Sequence, residues 1–232
     1  MRGVLGLWRT WKHGRKFAKK GKGCEFPAKY LEVDGHVELG DGCRFRNNVI
    51  LRTRGQGKIV FGNRSGCGYY CIIEANSLVQ IGDFTAIAEF TVIRDTNHVV
   101  YGTEQHWRYT PQISKPVIIG RECLIGSRVY IGPGITIGDG AVVHAGSLVT
   151  KDIGPYEIWA GMPARRVAHR TKNVPEAELL RTQKLIEEFG LGKDRHREDL
   201  RPSSDKPAMA VPANEGGTSK PDDAETPGDD GI

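Results

Sequence analysis

From Ile119 onward this chain of 232 residues keeps a six-residue clock: IGRECL, IGSRVY, IGPGIT, IGDGAV, VHAGSL, VTKDI. An aliphatic residue opens each hexad, at 119, 125, 131, 137, 143 and 149. The fifth position is small or apolar throughout: Cys123, Val129, Ile135, Ala141, Ser147 and Ile153. A fixed period means stacked repeats, each burying its apolar side on its neighbours. Six residues make one short strand with one inward side chain, then a corner. Three hexads close a triangular coil, and coils stack as parallel strands at about 4.8 Å. Gly120, Gly126, Gly132 and Gly138 follow the aliphatic residue where little bulk fits, and Pro133-Gly134 and Asp139-Gly140 supply turn chemistry. A β-sandwich would instead alternate with period two and keep no clock. The expected class is an all-β solenoid, a parallel β-helix from about Val37 to Ile153.

The clock also runs upstream, less cleanly. Leu39, Phe45 and Leu51 form one set, Phe61, Cys67 and Ile73 a second, and Ile81, Ile87 and Ile93 a third. The phase slips between sets, so insertions around Thr53 to Lys58 and Leu78 to Gln80 are expected to leave the coil. Five to six coils give a prism about 25 to 29 Å long. The five cysteines are an odd set without extracellular context and read as reduced thiols. Cys43, Cys67, Cys71 and Cys123 fall on inward positions, which favours packing over a nucleophile or a metal site.

Charge is segregated along the chain. Residues 1–23 carry eight Lys or Arg and no acid, whereas 203–232 carry seven acids against Lys206 and Lys220. The middle is nearly neutral, so the net charge of +5 does not point to nucleic acid. No apolar run reaches the roughly 18 to 20 residues of a membrane span, and the N-terminus lacks a secretory signal pattern. A cytoplasmic protein is expected. Residues 1–23 read as a basic amphipathic helix. Residues 1–20 suit either the surface of an anionic membrane or a cap on the prism, with the tryptophans packed on its first coil. The solenoid domain is placed at 24–170 and a helical segment at 171–200. Its helix runs from Pro175 to Phe189, with Asn173 able to cap it and an apolar face that folds back on the prism. An acidic tail at 201–232 is expected to be disordered.

Chemistry concentrates where the clock stops. Residues 94–118 leave the coil and contain His98, His106, Tyr101, Trp107 and Tyr109. A loop this long in a regular solenoid points to function. The stretch IGDFTAIAEFTVIRDTNH, followed after the loop by KPVIIGRECL and the later hexads and closed by VTKDIGPYEIWAGMPARRV, resembles the hexapeptide-repeat acyltransferases. It is most similar to the maltose, galactoside and polysaccharide O-acetyltransferases.

The resemblance implies a left-handed parallel β-helix with flanking helices, a homotrimer, and acetyl-CoA bound in a cleft between subunits. It places His98 as the general base, taking the proton of an acceptor hydroxyl that attacks the thioester directly. Glu89 and Asp95 are candidates to orient its other ring nitrogen. Ser127, Ala145, Thr150, Lys151 and Arg165 match coenzyme-binding positions, and Arg166 or Arg170 is expected to add charge for the phosphates. Asn76 stands where the sugar enzymes place an acceptor-contacting acid. Leu124 replaces a Trp common in relatives, and Val99 a Pro. The expected activity is O-acetylation of a sugar hydroxyl, of a saccharide or a cell-surface glycan precursor, with N-acetylation of an amino or nucleotide sugar or a silent scaffold as alternatives. A metalloenzyme of the γ-carbonic-anhydrase kind needs two histidines five residues apart among its three; His98, His106 and His144 give no such pair, and no metal is expected.

Overall fold

The computed structural model describes residues 4–188. The expected acidic tail at 201–232, and residues 189–200 of the expected helical segment, lie outside the described residues. The chain forms a parallel solenoid of about seven turns, a left-handed β-helix preceded by one helix in the sequence and followed by another. Face A stacks the strands Lys19–Lys20, Val37–Leu39, Lys58–Phe61, Leu78–Ile81, Val117–Ile119 and Thr136–Ile137. Face B runs from Arg44–Phe45 to Glu157–Gly161, and an antiparallel strand, Ala164–His169, closes it. Face C runs from Leu31–Asp34 to Leu148–Val149. The chain visits A, B and C in turn.

Every clock position read from the sequence points inward. Ile73, Ile81, Ile93, Ile125, Ile131 and Val143 have no exposed surface, and the remaining openers are also buried. The solenoid starts earlier than the hexads do. Lys19–Lys20 pairs with Glu38–Leu39, Glu25 bridges Arg44, and Leu31–Asp34 pairs with the next strand of face C. This first coil carries no aliphatic clock, because Phe17, Phe26 and Phe45 stack through the end of the prism instead, with centroids 5.0 to 6.1 Å apart.

Leu78 to Gln80 do not leave the coil. They belong to the strand Leu78–Ile81, and the extra residues widen the corner at Asn76 and Ser77. Thr53 and Lys58 likewise end and begin strands, leaving 54–57 as the turn.

The corners explain the small residues, with one exception. A Cβ at Gly126 would stand 2.5 Å from the Ala145 nitrogen of the next coil. At Gly132 it would meet nothing closer than 3.5 Å, because the corner from face C to face A is roomier, and Thr150 occupies the matching place one coil on. Inward thiols and hydroxyls donate to carbonyls of the next coil. Cys43 reaches Gly62 O at 3.1 Å, Thr85 reaches Gly120 O at 2.7 Å and Cys123 reaches Gly138 O at 3.2 Å. All five cysteines are free and buried, and burial pushes the Cys123 thiol up to about 11. The thiols of Cys24, Cys43, Cys71 and Cys123 are corner fillers that satisfy backbone acceptors.

Helix α1 spans Val4–Gly14. It lies against the first coil through Thr10, whose hydroxyl accepts the Phe26 N–H, and through His13, whose Nε2 meets Ala28 O at 3.1 Å. Trp8 and Trp11 do not pack on that coil; they are 52% and 62% exposed, together with Leu5 and Leu7. Helix α2, Glu176–Glu188, belongs to a second unit. It contains no buried residue. Asn173 lies upstream of its start with φ 54° and does not cap it.

Burial holds the His13 imidazole below its ordinary value near 6.5, with Lys16, Lys12 and Arg9 adding repulsion against the pull of the Ala28 carbonyl. Below that value the unfolded chain binds more protons than the folded one. Stability therefore falls as the pH drops through 6.5 and levels off below the folded value. Protection factors of the α1 amides, with the intrinsic pH dependence of exchange divided out, are expected to fall between about pH 7.5 and pH 5.5, and His13→Gln, which keeps a donor and does not titrate, is expected to abolish that fall.

Candidate active site

The excursion is shorter than the hexad count suggests: Arg94 still ends a face C strand and Val117 already opens a face A strand, so residues 95–116 form an arm standing on the corner between faces C and A. Thr96–His98 pairs antiparallel with Gln112–Ser114, with His98 opposite Gln112. A short 3₁₀ turn at Trp107–Tyr109 covers its tip, and His106 caps that turn by accepting the Arg108 N–H.

Asp95 anchors the arm to the prism. It has no exposed surface, and its two oxygens accept the backbone N–H groups of Asn76, Ser77 and Leu78 at 2.6 to 3.1 Å, plus the Thr96 hydroxyl at 2.7 Å. A carboxylate so saturated is a structural clasp, not the orienter of His98. Glu89 is not that orienter either. It lies on the corner from face B to face C and accepts the Ser127 hydroxyl at 2.7 Å, which holds its carboxyl below the usual range.

His98 is oriented by neutral groups. Its Nδ1 lies 3.3 Å from the Thr110 hydroxyl, which itself donates to Trp107 O at 2.7 Å. With its own proton so used, Thr110 is left to accept from Nδ1–H. The Gln112 amide nitrogen stands 3.0 Å from Nε2, and Gln112 Oε1 accepts from Asn76 at 3.4 Å. The network therefore assigns the tautomer protonated at Nδ1, with a lone pair on Nε2. Trp107 packs edge-on against the ring at 5.5 Å.

The imidazole faces a polar cavity of about 180 Å³. Its walls include Arg52, Arg54, Glu74, Asn76, Arg94 and Gln112. Thus His98 and Asn76 are brought together, with Gln112 as the link between them. The hexad count does not reveal Gln112, because its place depends on the pairing of a short arm with no apolar alternation. The arginines carry a readable signal: Arg52, Glu74 and Arg94 each follow an inward clock residue and so fall in one column on face C.

The other sites read from the sequence lie elsewhere on the prism. Ser127 and Ala145 stack on the corner from B to C, where the Gly146 N–H donates to Ser127 O at 2.8 Å. Ala145 and Gly146 are exposed, and a Cβ at Gly146 would meet nothing within 4 Å, so a thin chain has room there. Thr150 and Lys151 lie on the same C-to-A corner line as Asp95, below the arm, and Lys151 makes no ion pair among the described residues. Arg165 is exposed on the terminal hairpin, its guanidinium on Ala164 O. Arg166 pairs with Glu157 at 3.3 Å, and Arg170 donates to Gly140 O at 2.8 Å, so both are already engaged in the fold.

Residues 116–151 match the family described as hexapeptide repeat of succinyl-transferase. The chain is a hexapeptide-repeat protein. Its fold is similar to that of AntD, an N-acyltransferase from Bacillus cereus solved with dTDP and 3-hydroxybutyryl-CoA. That likeness has a TM-score of 0.61 at 20% identity, over 78% of this chain and 95% of that one. A galactoside acetyltransferase in complex with coenzyme A aligns at 30% identity over 67% of this chain and 66% of that one, with a TM-score of 0.49. No curated protein matches the sequence.

In this hexapeptide-repeat protein Asp95→Asn places an amide N–H₂ against backbone donors. The expected cost is about 2 to 4 kcal/mol in denaturant unfolding, whereas His98→Ala changes stability by no more than about 0.5 kcal/mol.

Proposed function

We propose that the chain is an acyltransferase that moves an acetyl group from acetyl-CoA to a sugar hydroxyl, with His98 as the general base. The observation that carries the reading is the Nε2 lone pair at the wall of a polar cavity, where it accepts from the Gln112 N–H at 3.0 Å, the place an incoming hydroxyl would take. The acceptor oxygen attacks the thioester carbonyl carbon as its proton passes to Nε2. The tetrahedral intermediate then collapses, the C–S bond breaks, and His98 returns the proton to the leaving thiolate. No nucleophilic side chain is needed. Asn76, held by Gln112, contacts the acceptor. AntD, which shares the fold, binds 3-hydroxybutyryl-CoA, and this supports a coenzyme A thioester as the donor.

The pantetheine arm lies along Ser127 and Ala145, with Thr150, Lys151 and Arg165 toward the phosphates. Within one chain Ser127 and Ala145 occupy a different corner from His98, so the thioester meets this imidazole only across an interface between copies. A homotrimer supplies such an interface three times over.

The test is release of free CoA with a panel of neutral, acidic and amino sugars. His98→Ala is expected to lower turnover by roughly 10² or more, and Ala145→Phe to block the donor. Mixed oligomers of the two variants regain activity where an intact His98 edge meets an intact Ala145 edge. A mixture that stays inactive while exchanging subunits sinks the shared site, and release that ignores His98 sinks the base.

The outward face of α1 supports work at the cytoplasmic face of a membrane. Lys12 lies over Trp8 at 5.1 Å and Arg15 over Trp11 at 5.2 Å, so exposed indoles and cations form one surface suited to anionic headgroups. No helix among the described residues is long and apolar enough to cross a membrane. Co-sedimentation with vesicles rich in phosphatidylserine is expected, falling at high salt and with Trp8→Ala/Trp11→Ala. Equal recovery with neutral vesicles would count against it.

A further inference from the structure

The charges around the His98 cavity do not cancel. Arg52 is held between Glu32 and Glu74, its NH1 at 2.9 Å from Glu74. Arg94 reaches the other oxygen of Glu74 at 3.1 Å through NH2, leaving the rest of its guanidinium at the cavity wall, where 45% of the side chain is exposed. Asp95, the second acid of the lining, is consumed by backbone N–H groups and Thr96. Arg54, on the widened corner at the end of the strand Val49–Thr53, has no carboxylate partner among the described residues. Both acids are therefore spent, and the cavity keeps an uncompensated guanidinium beside a half-used one.

The spacing suits a single ligand. Arg52, Glu74 and Arg94 stand in register on three successive strands, and Arg54 lies two residues beyond Arg52. Two coils along the stack and two residues along the strand separate the Arg54 and Arg94 backbones, about 12 Å, a gap that two arginine side chains can close around one anion. Arg94 lies on the strand that feeds the arm, four residues before His98. A guanidinium fork binds phosphate and carboxylate oxygens through paired N–H donors.

We propose that the acceptor is an anionic saccharide whose phosphate or carboxylate is held by Arg54 with Arg94, while the hydroxyl to be acylated lies at His98. The inference rests on the transferase reading and names the acceptor class for the same cavity. Arg52 is the positioning residue: gripped by two glutamates, it fixes Glu74, and Glu74 fixes Arg94. Gln112 and Asn76 contact the neutral part of the sugar.

The experiment compares full-length wild type and Arg54→Gln. The acceptors are a nucleoside diphosphate hexose, a hexuronic acid and the matched neutral hexose. Wild type is expected to prefer a charged acceptor. In Arg54→Gln the KM for that acceptor rises roughly tenfold with kcat within about twofold, and the neutral hexose shows no such rise. Titration calorimetry of the same charged sugar without acetyl-CoA is expected to show binding that weakens with salt and weakens again in the variant. Which charged sugar responds distinguishes phosphate from carboxylate. Equal use of neutral and charged sugars, or an Arg54→Gln enzyme with an unchanged KM for the charged one, overturns the anionic acceptor and leaves the transferase standing. Absence of His98-dependent CoA release with every sugar, together with no calorimetric binding of either charged sugar, overturns both.

Discussion

Everything in this molecule depends on the stacking of short parallel strands, each of which must lie one strand spacing from its predecessor. At about 4.8 Å the backbone of the next coil fills the space where a corner side chain would go. That single distance explains the tight contacts at Gly126 and the thiols and hydroxyls that turn inward to corner carbonyls. It also explains the left-handed backbone at Tyr70, Phe90 and Arg128, each with φ near 60°. A bulky residue in that conformation costs on the order of 1 kcal/mol. The ladder on either side over-determines the corner and holds it there. A corner can lengthen outward, but it cannot shift the strands it joins, so insertions and the long arm both arise at corners.

The same constraint decides what could be read from the amino acids alone. The inward column was legible because it obeys one clock and one chemistry, and even its slips left Ile73, Ile81 and Ile93 buried. The first coil was not legible: its interior is filled by phenylalanines from outside the register and by the end of α1, so no hexad marks it. Leu78 to Gln80 looked inserted because two extra residues broke the count, yet those residues widen the corner before a regular strand. Counting reports phase. It does not report on which side of a strand the slack is taken up.

The candidate site divides along the same line. His98 stands out because it sits at the break in the repeat, and Ser127 and Ala145 because eighteen residues separate them. The groups that set the imidazole's tautomer, Thr110 and Gln112, come from the returning half of the arm. Their positions follow from strand pairing, which the residues of the arm do not advertise. Asp95 illustrates the converse hazard. An acid three residues before a histidine invites the role of its partner, but a buried carboxylate needs donors more than the histidine does, and four are already in place.

Column logic extends to the charges. On face C the alternation Glu32, Arg52, Glu74, Arg94 satisfies itself along the stack and needs no ligand. Exposed pairs of this kind contribute about 0 to 1 kcal/mol each to stability, so their worth lies in geometry more than in folding energy. The ladder ends at the corner where the arm rises, and there the alternation fails: Arg54 has no acid across from it, and the only other carboxylate in the lining is turned into the backbone. A solenoid repeats its side-chain environment at every coil. The place where the repeat of charge, the repeat of corner length and the repeat of strand all stop together is the place where this fold can hold one ligand in one orientation.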